Sequence, residues 1–240
     1  MSSLTLVAIV SDYERIERLL EWAGPREVFT EIKLFVDDRT RLAMLPSTRR
    51  MTVERIKIKN LDSAFAYVHS TQVLKTDWAL HLGDDELMGE WFDEDIETLM
   101  AAPYDVYSFR RYNVCTAIGD SDRITDVRHI YISTSPWYPD WCQRLFRPGH
   151  IVHNGEVHEG PQVDGRLSMA RPHVFHFDFV DQSPAVREKK WETYLKQGVV
   201  EASRKRGVED DYYKRWCLPE EYEYEISSCQ EGLAWAPLPY

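Results

Sequence analysis

The stretch Trp78–Glu86 (WALHLGDDE) decides the fold of this chain. Its first five residues form a short, mostly apolar run, which is typical of a strand buried on both faces of a sheet. A glycine follows, and then come three acidic residues, Asp84, Asp85 and Glu86. Such a turn at the end of a buried strand predicts a site for one hard cation. The alternative is a solvated acidic turn that caps the next helix.

Strands and helices alternate on both sides of this stretch. Further strands are predicted at residues 4–10, 31–36 and 55–59. Apolar residues at helical spacing predict one helix that ends at Gly24, a second that extends to about Lys75 and a third that includes Met100. The order β-α-β-β-α-β-α predicts an α/β domain, with a mostly parallel sheet and helices on both faces.

Acidic residues follow three of the predicted strands. Asp12 comes after the first strand, Asp37 and Asp38 follow the second, and the acidic turn follows the strand at 78–82. In parallel sheets the carboxyl ends of the strands meet at one edge, and ligands bind beyond that edge. We therefore expect these carboxylates to converge on a single crevice.

The second half of the chain has the pattern of a β-rich segment. Strands are predicted at 105–114 and 130–134, and the alternation in HVFHFDFV predicts another at 173–180. A charged helix is expected from Ser183 to about Arg206, because Ser-Pro is a favourable helix start. The remaining tail is rich in Glu, Tyr and Pro, and we expect it to be extended.

Composition restricts the class of protein. The chain has 240 residues and a formal net charge of −11, and an acidic surface argues against a dedicated nucleic-acid binder. A nucleotide diphosphate remains compatible, because a divalent cation can make that contact. The 8 tryptophans and 13 tyrosines serve either core packing or stacking against a base or a sugar.

The cysteines and the apolar segments bear on location. Cys115, Cys142, Cys217 and Cys229 form no CxxC pair, which argues against a zinc finger and suits a reducing compartment. The first ten residues lack the features of a signal peptide. No apolar stretch approaches the length of a membrane span. We therefore expect a cytoplasmic protein without a transmembrane segment.

Two histidine motifs in the second half are further candidates for chemistry. His158 and Glu159 lie in the glycine-flanked segment GEVHEG, where Glu159 is a candidate general base; the alternative is a polar loop. His173 and His176 lie on the predicted strand at 173–180, and His176 is on the face opposite its three phenylalanines. His176 is a candidate metal ligand that Asp178 could orient, and the alternative is a hydrogen-bonded surface histidine.

Three motifs in sequence order resemble those of the family 2 glycosyltransferases, in the branch related to lipopolysaccharide core glucosyltransferases. That family has a strand with Asp-X-Asp-Glu, then Arg-Leu-Phe, then Val-His-Glu. The corresponding segments here are DWALHLGDDE at 77–86, QRLFR at 143–147 and GEVHE at 155–159. The family's later histidine is matched by His176, and the resemblance spans roughly residues 4 to 200.

The resemblance implies a Rossmann-like GT-A fold and a metal-dependent hexosyltransferase that inverts the anomeric carbon. Gly83 stands where the family has the first acidic residue of its motif. The motif is thus reduced, and Asp85 would be the main ligand of Mn²⁺ or Mg²⁺, with help from His176. Glu159, beside His158, would deprotonate an acceptor hydroxyl.

The resemblance also implies where a nucleotide-sugar donor, such as a UDP-sugar, would bind. Asp37 or Asp38 would contact the base or ribose, and Asp84 would lie near the ribose and the metal. Additional candidates for donor contact are Val10, Asp12 and Arg144. The acceptor would be a glycan, a lipid-linked sugar, a protein or a modified nucleic acid.

The implied organisation is one glycosyltransferase domain and a tail. The domain covers residues 1–216, and its parts are a nucleotide-sugar-binding half at 1–103, an acceptor and catalytic half at 104–182 and a helix at 183–206. The extended tail covers 217–240.

Two other functions remain open from the sequence. A nucleotidyltransferase would normally have a phosphate loop rich in Gly and Lys or Arg near the first strand, and residues 10–14 (VSDYE) offer none. A non-catalytic nucleotide-sugar-binding protein of the same fold is the other alternative, and Gly83 keeps it open.

Overall fold

The computed structural model describes residues 2–10, 13–38, 50–58, 61–117, 128–131, 140–153 and 161–178, with the single residues Lys189, Glu192, Leu195 and Lys196. They fall into two compact units. The first unit holds the described residues within Met1–Arg110, Trp141–Gly155 and Glu159–Val174. The second unit holds those within Arg111–Asp140, Glu156–His158 and Phe175–Tyr240.

The described residues form eleven strands and three helices. The first half forms β1 (Leu4–Val10), α1 (Tyr13–Ala23), β2 (Glu31–Asp37), β3 (Met51–Ile56), α2 (Leu61–Val68), β4 (Trp78–Gly83), β5 (Glu86–Met88) and α3 (Phe92–Ala101). The second half forms β6 (Val106–Ala117), β7 (Arg128–Tyr131), β8 (Asp140–Phe146), β9 (Ile151–Val152), β10 (Gln162–Val163) and β11 (Leu167–His176). The second half is thus β-rich, as predicted.

The main sheet has the strand order β3-β2-β1-β4-β8-β6-β11-β5. β1 pairs in parallel with both β2 and β4, and β2 pairs in parallel with β3. β8 then joins β4 in the antiparallel direction. The predicted α/β class is confirmed, and the parallel half of this mixed sheet is consistent with a Rossmann-like GT-A fold.

Apolar runs place β1 and β4 at the centre of the sheet. Six of the seven residues of β1 are buried, so both of its faces are covered. α1 buries Ile16, Leu19 and Ala23, which recur at helical spacing. This helix ends at Gly24, as predicted, and the Gly24 N–H donates to the Leu20 carbonyl over 2.7 Å.

Two boundaries in the first half differ from the prediction. The strand expected at 55–59 is β3, at Met51–Ile56, where Met51 is buried but the next four residues are exposed. An edge strand of this kind shows little apolar alternation. α2 ends at Val68 instead of near Lys75, because a turn follows in which the Leu74 N–H donates to the Ser70 carbonyl over 2.9 Å.

Two other strands were predicted incompletely. β5 was not expected, because a strand of three residues is too short to show a period. The strand expected at 173–180 is β11, which begins at Leu167 and ends at His176. Its first half, residues 167–171, is largely exposed, so the apolar signal in the sequence falls only on its second half.

The predicted helix at 183–206 and the tail at 217–240 lie outside the described residues, apart from Lys189, Glu192, Leu195 and Lys196, which are helical. Among the described helices, none has the length and apolar character needed to span a membrane. The division of the domain after residue 103 stays a prediction.

Candidate functional site

The carboxyl ends of β2, β1 and β4 lie level with one another in the first unit. Val10, the last residue of β1, pairs with the penultimate residue of β2, so Asp37 lies one step beyond it. The last residue of β4 pairs with the penultimate residue of β1, so Asp84 is level with Val10. Because adjacent strands are about 4.8 Å apart, the backbones of Asp37 and Asp84 are separated by about 10 Å.

The two acids that flank Val10 are both buried. Asp37 is 9% exposed and Asp84 is 7% exposed. Asp38, in contrast, is exposed, and its N–H donates to the Ile56 carbonyl over 2.9 Å. Buried carboxylates are costly unless polar partners compensate them. Both acids have interaction partners in the protein, and their shared position at the carboxyl edge of the sheet marks the candidate site.

Glu86 faces the interior and closes the acidic turn. It is 2% exposed, and its Oε2 accepts the Gly83 N–H over 3.0 Å. Its Oε1 accepts a hydrogen bond of 2.6 Å from Nη2 of Arg144. Each carboxylate oxygen is thus engaged with the protein, so Glu86 braces the turn that presents Asp84 and Asp85.

The side chain of Asp85 folds back over the glycine of the turn. A Cβ atom on Gly83 would lie 2.6 Å from Oδ1 of Asp85, which is closer than real Cβ contacts come. α1 supplies a cation to the same carboxylate, because Nη1 of Arg15 lies 3.8 Å from Oδ2 of Asp85. The turn therefore combines a part-buried acid with a nearby fixed positive charge.

The ring of His176, in the second unit, is oriented by a hydrogen bond. Its Nδ1 lies 2.8 Å from Oδ1 of Asn113. An amide oxygen only accepts, so Nδ1 of His176 is the donor in this hydrogen bond. Asp178 is 2% exposed, and ligand atoms of Asp178 and His176 lie within 4.8 Å of each other. His176 is itself buried, so the alternative of a surface histidine is wrong.

A chain of three histidine rings lies in the first unit. Nε2 of His69 is 2.9 Å from Nδ1 of His81, and Nδ1 of His69 is 2.8 Å from Nε2 of His153. Phe65 and Phe146 pack against the central ring. Each of the two hydrogen bonds needs one donor and one acceptor, so neutral rings form a directed chain.

Burial keeps this histidine chain neutral. It lowers the pKa of His69 well below its ordinary value, with the neighbouring histidines and Arg144 adding to the effect. Burial followed by the charge of Arg144 lowers the pKa of His81 to about 3 and that of His153 to about 4. The three histidine rings therefore carry no charge at neutral pH. One of them, His81, lies two residues before Gly83 in the sequence.

Comparison with protein-family models and with curated proteins finds no match in either set. Solved structures with some similarity include TarS of S. aureus, at 11% identity and a TM-score of 0.44, over 73% of this chain and 60% of that chain. This chain thus spans less than two thirds of the TarS structure. HddC from Yersinia pseudotuberculosis aligns at 9% identity and a TM-score of 0.37, over 73% of this chain and 93% of HddC.

A third similar structure is 4-diphosphocytidyl-2C-methyl-D-erythritol synthase, at 12% identity and a TM-score of 0.34, over 62% of this chain and 77% of that chain. All three TM-scores are below 0.5, so these similarities establish neither a family nor an activity. The function proposed below therefore rests on the residues of this chain.

The structure brings some of the predicted site residues together and leaves others undescribed. Val10, Asp37, Asp38, Asp84 and Asp85 lie at the carboxyl edge of the parallel strands in the first unit. Predictions for Asp12, His158 and Glu159 fall outside the described residues.

The sequence missed three features of the site. These are the inward position of Glu86, the approach of Arg15, and the histidine chain. Each depends on side chains from elements that are distant in the sequence, and no spacing in a single chain signals such contacts.

Proposed function

We propose that the protein is a metal-dependent, inverting glycosyltransferase that uses a nucleotide-diphosphate sugar. The observation that carries this proposal is the pair of buried acids, Asp37 and Asp84, on either side of Val10 at the carboxyl edge of a parallel sheet. Ligands of such sheets bind at that edge. Asp85, next in the chain, supplies a third carboxylate.

The nucleoside of the donor would lie at Asp37. A carboxylate accepts hydrogen bonds from ribose hydroxyls or from a base N–H. The separation of about 10 Å between Asp37 and Asp84, two strand spacings, suits a nucleoside at one end and its diphosphate at the other. Arg15 would add a fixed positive charge for the phosphates. A UDP-sugar is the donor that the family resemblance favours.

Asp85 would be the main ligand of Mn²⁺ or Mg²⁺. Carboxylate oxygens suit both ions, and an imidazole nitrogen favours Mn²⁺ among them. The family resemblance assigns His176 to the same ion, and within the second unit His176 lies beside the buried carboxylate of Asp178. When bound, the ion would neutralise the charge that develops on the departing diphosphate. The role of the protein is to hold these metal-binding side chains in the right charge states and orientations.

Glu159, with His158 beside it, would be the general base. It would accept the proton of an acceptor hydroxyl as that oxygen attacks the anomeric carbon from the face opposite the diphosphate. The new glycosidic bond forms while the bond to the diphosphate breaks, and the nucleoside diphosphate leaves. The acceptor would be a glycan, a lipid-linked sugar, a protein or a modified nucleic acid.

The donor site is tested by thermal unfolding with a panel of nucleoside diphosphates, with and without Mn²⁺. At least one nucleotide should raise the Tm of the wild-type protein, more so with the metal, because a ligand of the native state stabilises it. Asp37→Asn should lose this increase, whereas Asp38→Asn, which changes the adjacent exposed acid, should keep it. If no nucleotide raises the Tm under either condition, the donor site is absent.

A further inference from the structure

Trp91 adopts a backbone conformation that bulky residues rarely take. It lies between β5 and α3 with a φ of 66°, and it is the one described non-glycine residue with a positive φ. Glycine or asparagine adopts this region far more readily. The indole also remains 37% exposed. A tryptophan at such a position therefore requires an explanation in terms of its side chain.

The indole ring of Trp91 contacts a charged and an aromatic neighbour. Cζ of Arg171 lies 5.0 Å from its centroid, and the ring of His173 is centred 6.0 Å away. Arg171 is fixed in turn by two hydrogen bonds to Asp95, of 2.9 and 2.6 Å. The Gly89 N–H donates to the His173 carbonyl over 2.8 Å, which ties the segment before Trp91 to β11. The ring is thus oriented before any ligand arrives.

The surroundings of the ring select a chemical class of ligand. Arg171, which lies over the ring, pairs with Glu94 over 3.2 Å and with Asp95 over 2.6 Å, so these three side chains form a charged rim beside the indole. A pyranose matches this surface, because it has an apolar C–H face and a rim of hydroxyl groups that donate to carboxylates and accept from a guanidinium. The carboxylates repel phosphates, so a nucleotide matches it poorly.

We propose that Trp91 is a stacking platform for a sugar ring of the acceptor. This inference rests on the proposed function and deepens it, since it makes the acceptor a glycan. Trp91 follows Asp85 by six residues, so their Cα atoms are at most about 20 Å apart. An acceptor chain of a few sugars spans that distance, whereas the donor sugar stays attached to the diphosphate at Asp85.

The binding test follows the indole N–H resonances of the protein by NMR while methyl glycosides of glucose, galactose and N-acetylglucosamine are added. The Trp91 resonance is assigned by its loss in Trp91→Phe. We expect at least one glycoside to shift it saturably. Trp141 is the matched control, because it is 36% exposed and belongs to a different element, β8. A Trp91 resonance that none of the glycosides moves overturns the proposal.

The functional test uses Trp91→Gly, which removes the ring and also relieves the positive φ, so the variant should fold with an unchanged or higher Tm. We expect its KM for an acceptor glycoside to rise about tenfold, while the nucleotide-induced increase in Tm stays as in wild type. An unchanged KM overturns the proposal.

Two outcomes distinguish a failure of this inference from a failure of the proposed glycosyltransferase function. If nucleotides raise the Tm but no sugar shifts the Trp91 resonance, Trp91 does not bind an acceptor sugar, and the nucleotide-sugar site is still supported. If the wild-type protein dimerises with concentration, Trp91→Gly abolishes the dimer and no sugar responds, Trp91 belongs to a protein interface and the proposal fails.

Discussion

Oδ1 of Asp85 lies 2.6 Å from the position that a Cβ atom would take on Gly83. The carboxylate that we propose as the main metal ligand thus uses space that only a glycine leaves open. In the resemblance to the family 2 glycosyltransferases, Gly83 takes the place of the first acidic residue of the motif. The structure therefore explains why glycine occupies this position, because the absence of a side chain allows Asp85 to fold back over the turn.

Gly83→Ala should impair metal-dependent nucleotide binding more than stability. The added methyl group meets the end of the Asp85 side chain, which can rotate away, so the free energy of unfolding should fall by no more than about 1 kcal/mol. The affinity for nucleotide with Mn²⁺ should fall about tenfold. Calorimetric titration and urea unfolding measure the two effects.

Gly24→Ala is the matched control for this substitution. Its Cβ would lie 2.8 Å from the Leu20 carbonyl oxygen, which is backbone and cannot rotate away. This variant should lose stability but keep its nucleotide affinity. Equal nucleotide affinity in wild type and Gly83→Ala would contradict the role given to the glycine.

The pair formed by Arg144 and Glu86 should be strongly coupled. Arg144→Met leaves a carboxylate that is 2% exposed without its charged partner, which should cost about 3 kcal/mol of unfolding free energy. Glu86→Gln keeps an oxygen for the Gly83 N–H. The double variant should therefore lose at least about 1 kcal/mol less than the sum of the two single losses.

A surface ion pair provides the control for this double-mutant cycle. Nε of Arg26 lies 2.9 Å from Asp93, whose side chain is 62% exposed. Its coupling energy should be below about 1 kcal/mol. The coupling energies are measured by urea unfolding. Equal values in the two cycles would contradict the claim that Glu86 stabilises the acidic turn through its bond to Arg144.

The stability of the protein should decrease as the pH falls from about 7.5 to 5.5. His69, His81 and His153 stay neutral in the native state because their pKa values are lowered, whereas in the unfolded chain they take up protons near their ordinary pKa of 6.5. The unfolded state then binds more protons, so the free energy of unfolding falls by up to about 1.4 kcal/mol per pH unit for each histidine.

His69→Gln tests the origin of this pH dependence, since it removes the central ring. The slope of unfolding free energy against pH should become shallower than in wild type. His150→Gln, which changes a histidine outside the chain, should leave the slope as it was. A wild-type stability that does not change over this pH range would show that the three rings are not held neutral.

The sequence predicted the centre of the sheet because β1 and β4 are buried on both faces and so appear as continuous apolar runs. Edge and short strands lack that signal. β3 has only Met51 buried at its start, and β5 has three residues, so the first was misplaced and the second was missed. The position of Asp37 and Asp84 at one sheet edge followed directly from the strand order.

The contacts within the site did not follow from the sequence. Whether Glu86 turns inward depends on Arg144, which is 58 residues away in the chain. The histidine chain joins the ring of His81 in β4 with the rings of the residues that directly follow α2 and β9, and nothing in the spacing of these residues indicates that they meet. Side-chain packing across the sheet decides both features.

Glu159→Gln should abolish sugar transfer while donor binding is kept. A glutamine cannot accept the hydroxyl proton, and general base catalysis contributes about 10² to 10⁴-fold. Once an acceptor is found, the rate of transfer and the nucleotide-induced increase in Tm measure the two functions. Glu156→Gln, in the same motif, is the control that should retain activity. If Glu159→Gln kept full transfer activity, Glu159 would not be the general base.

The most direct test of the central claim is the release of nucleoside diphosphate from a panel of nucleotide sugars by the purified protein with Mn²⁺. Wild type should release it slowly from at least one donor, release should stop when the metal is chelated, and Asp85→Ala should be inactive. If no donor is hydrolysed, or if Asp85→Ala releases the nucleotide at the wild-type rate, the protein is not a transferase that acts through Asp85.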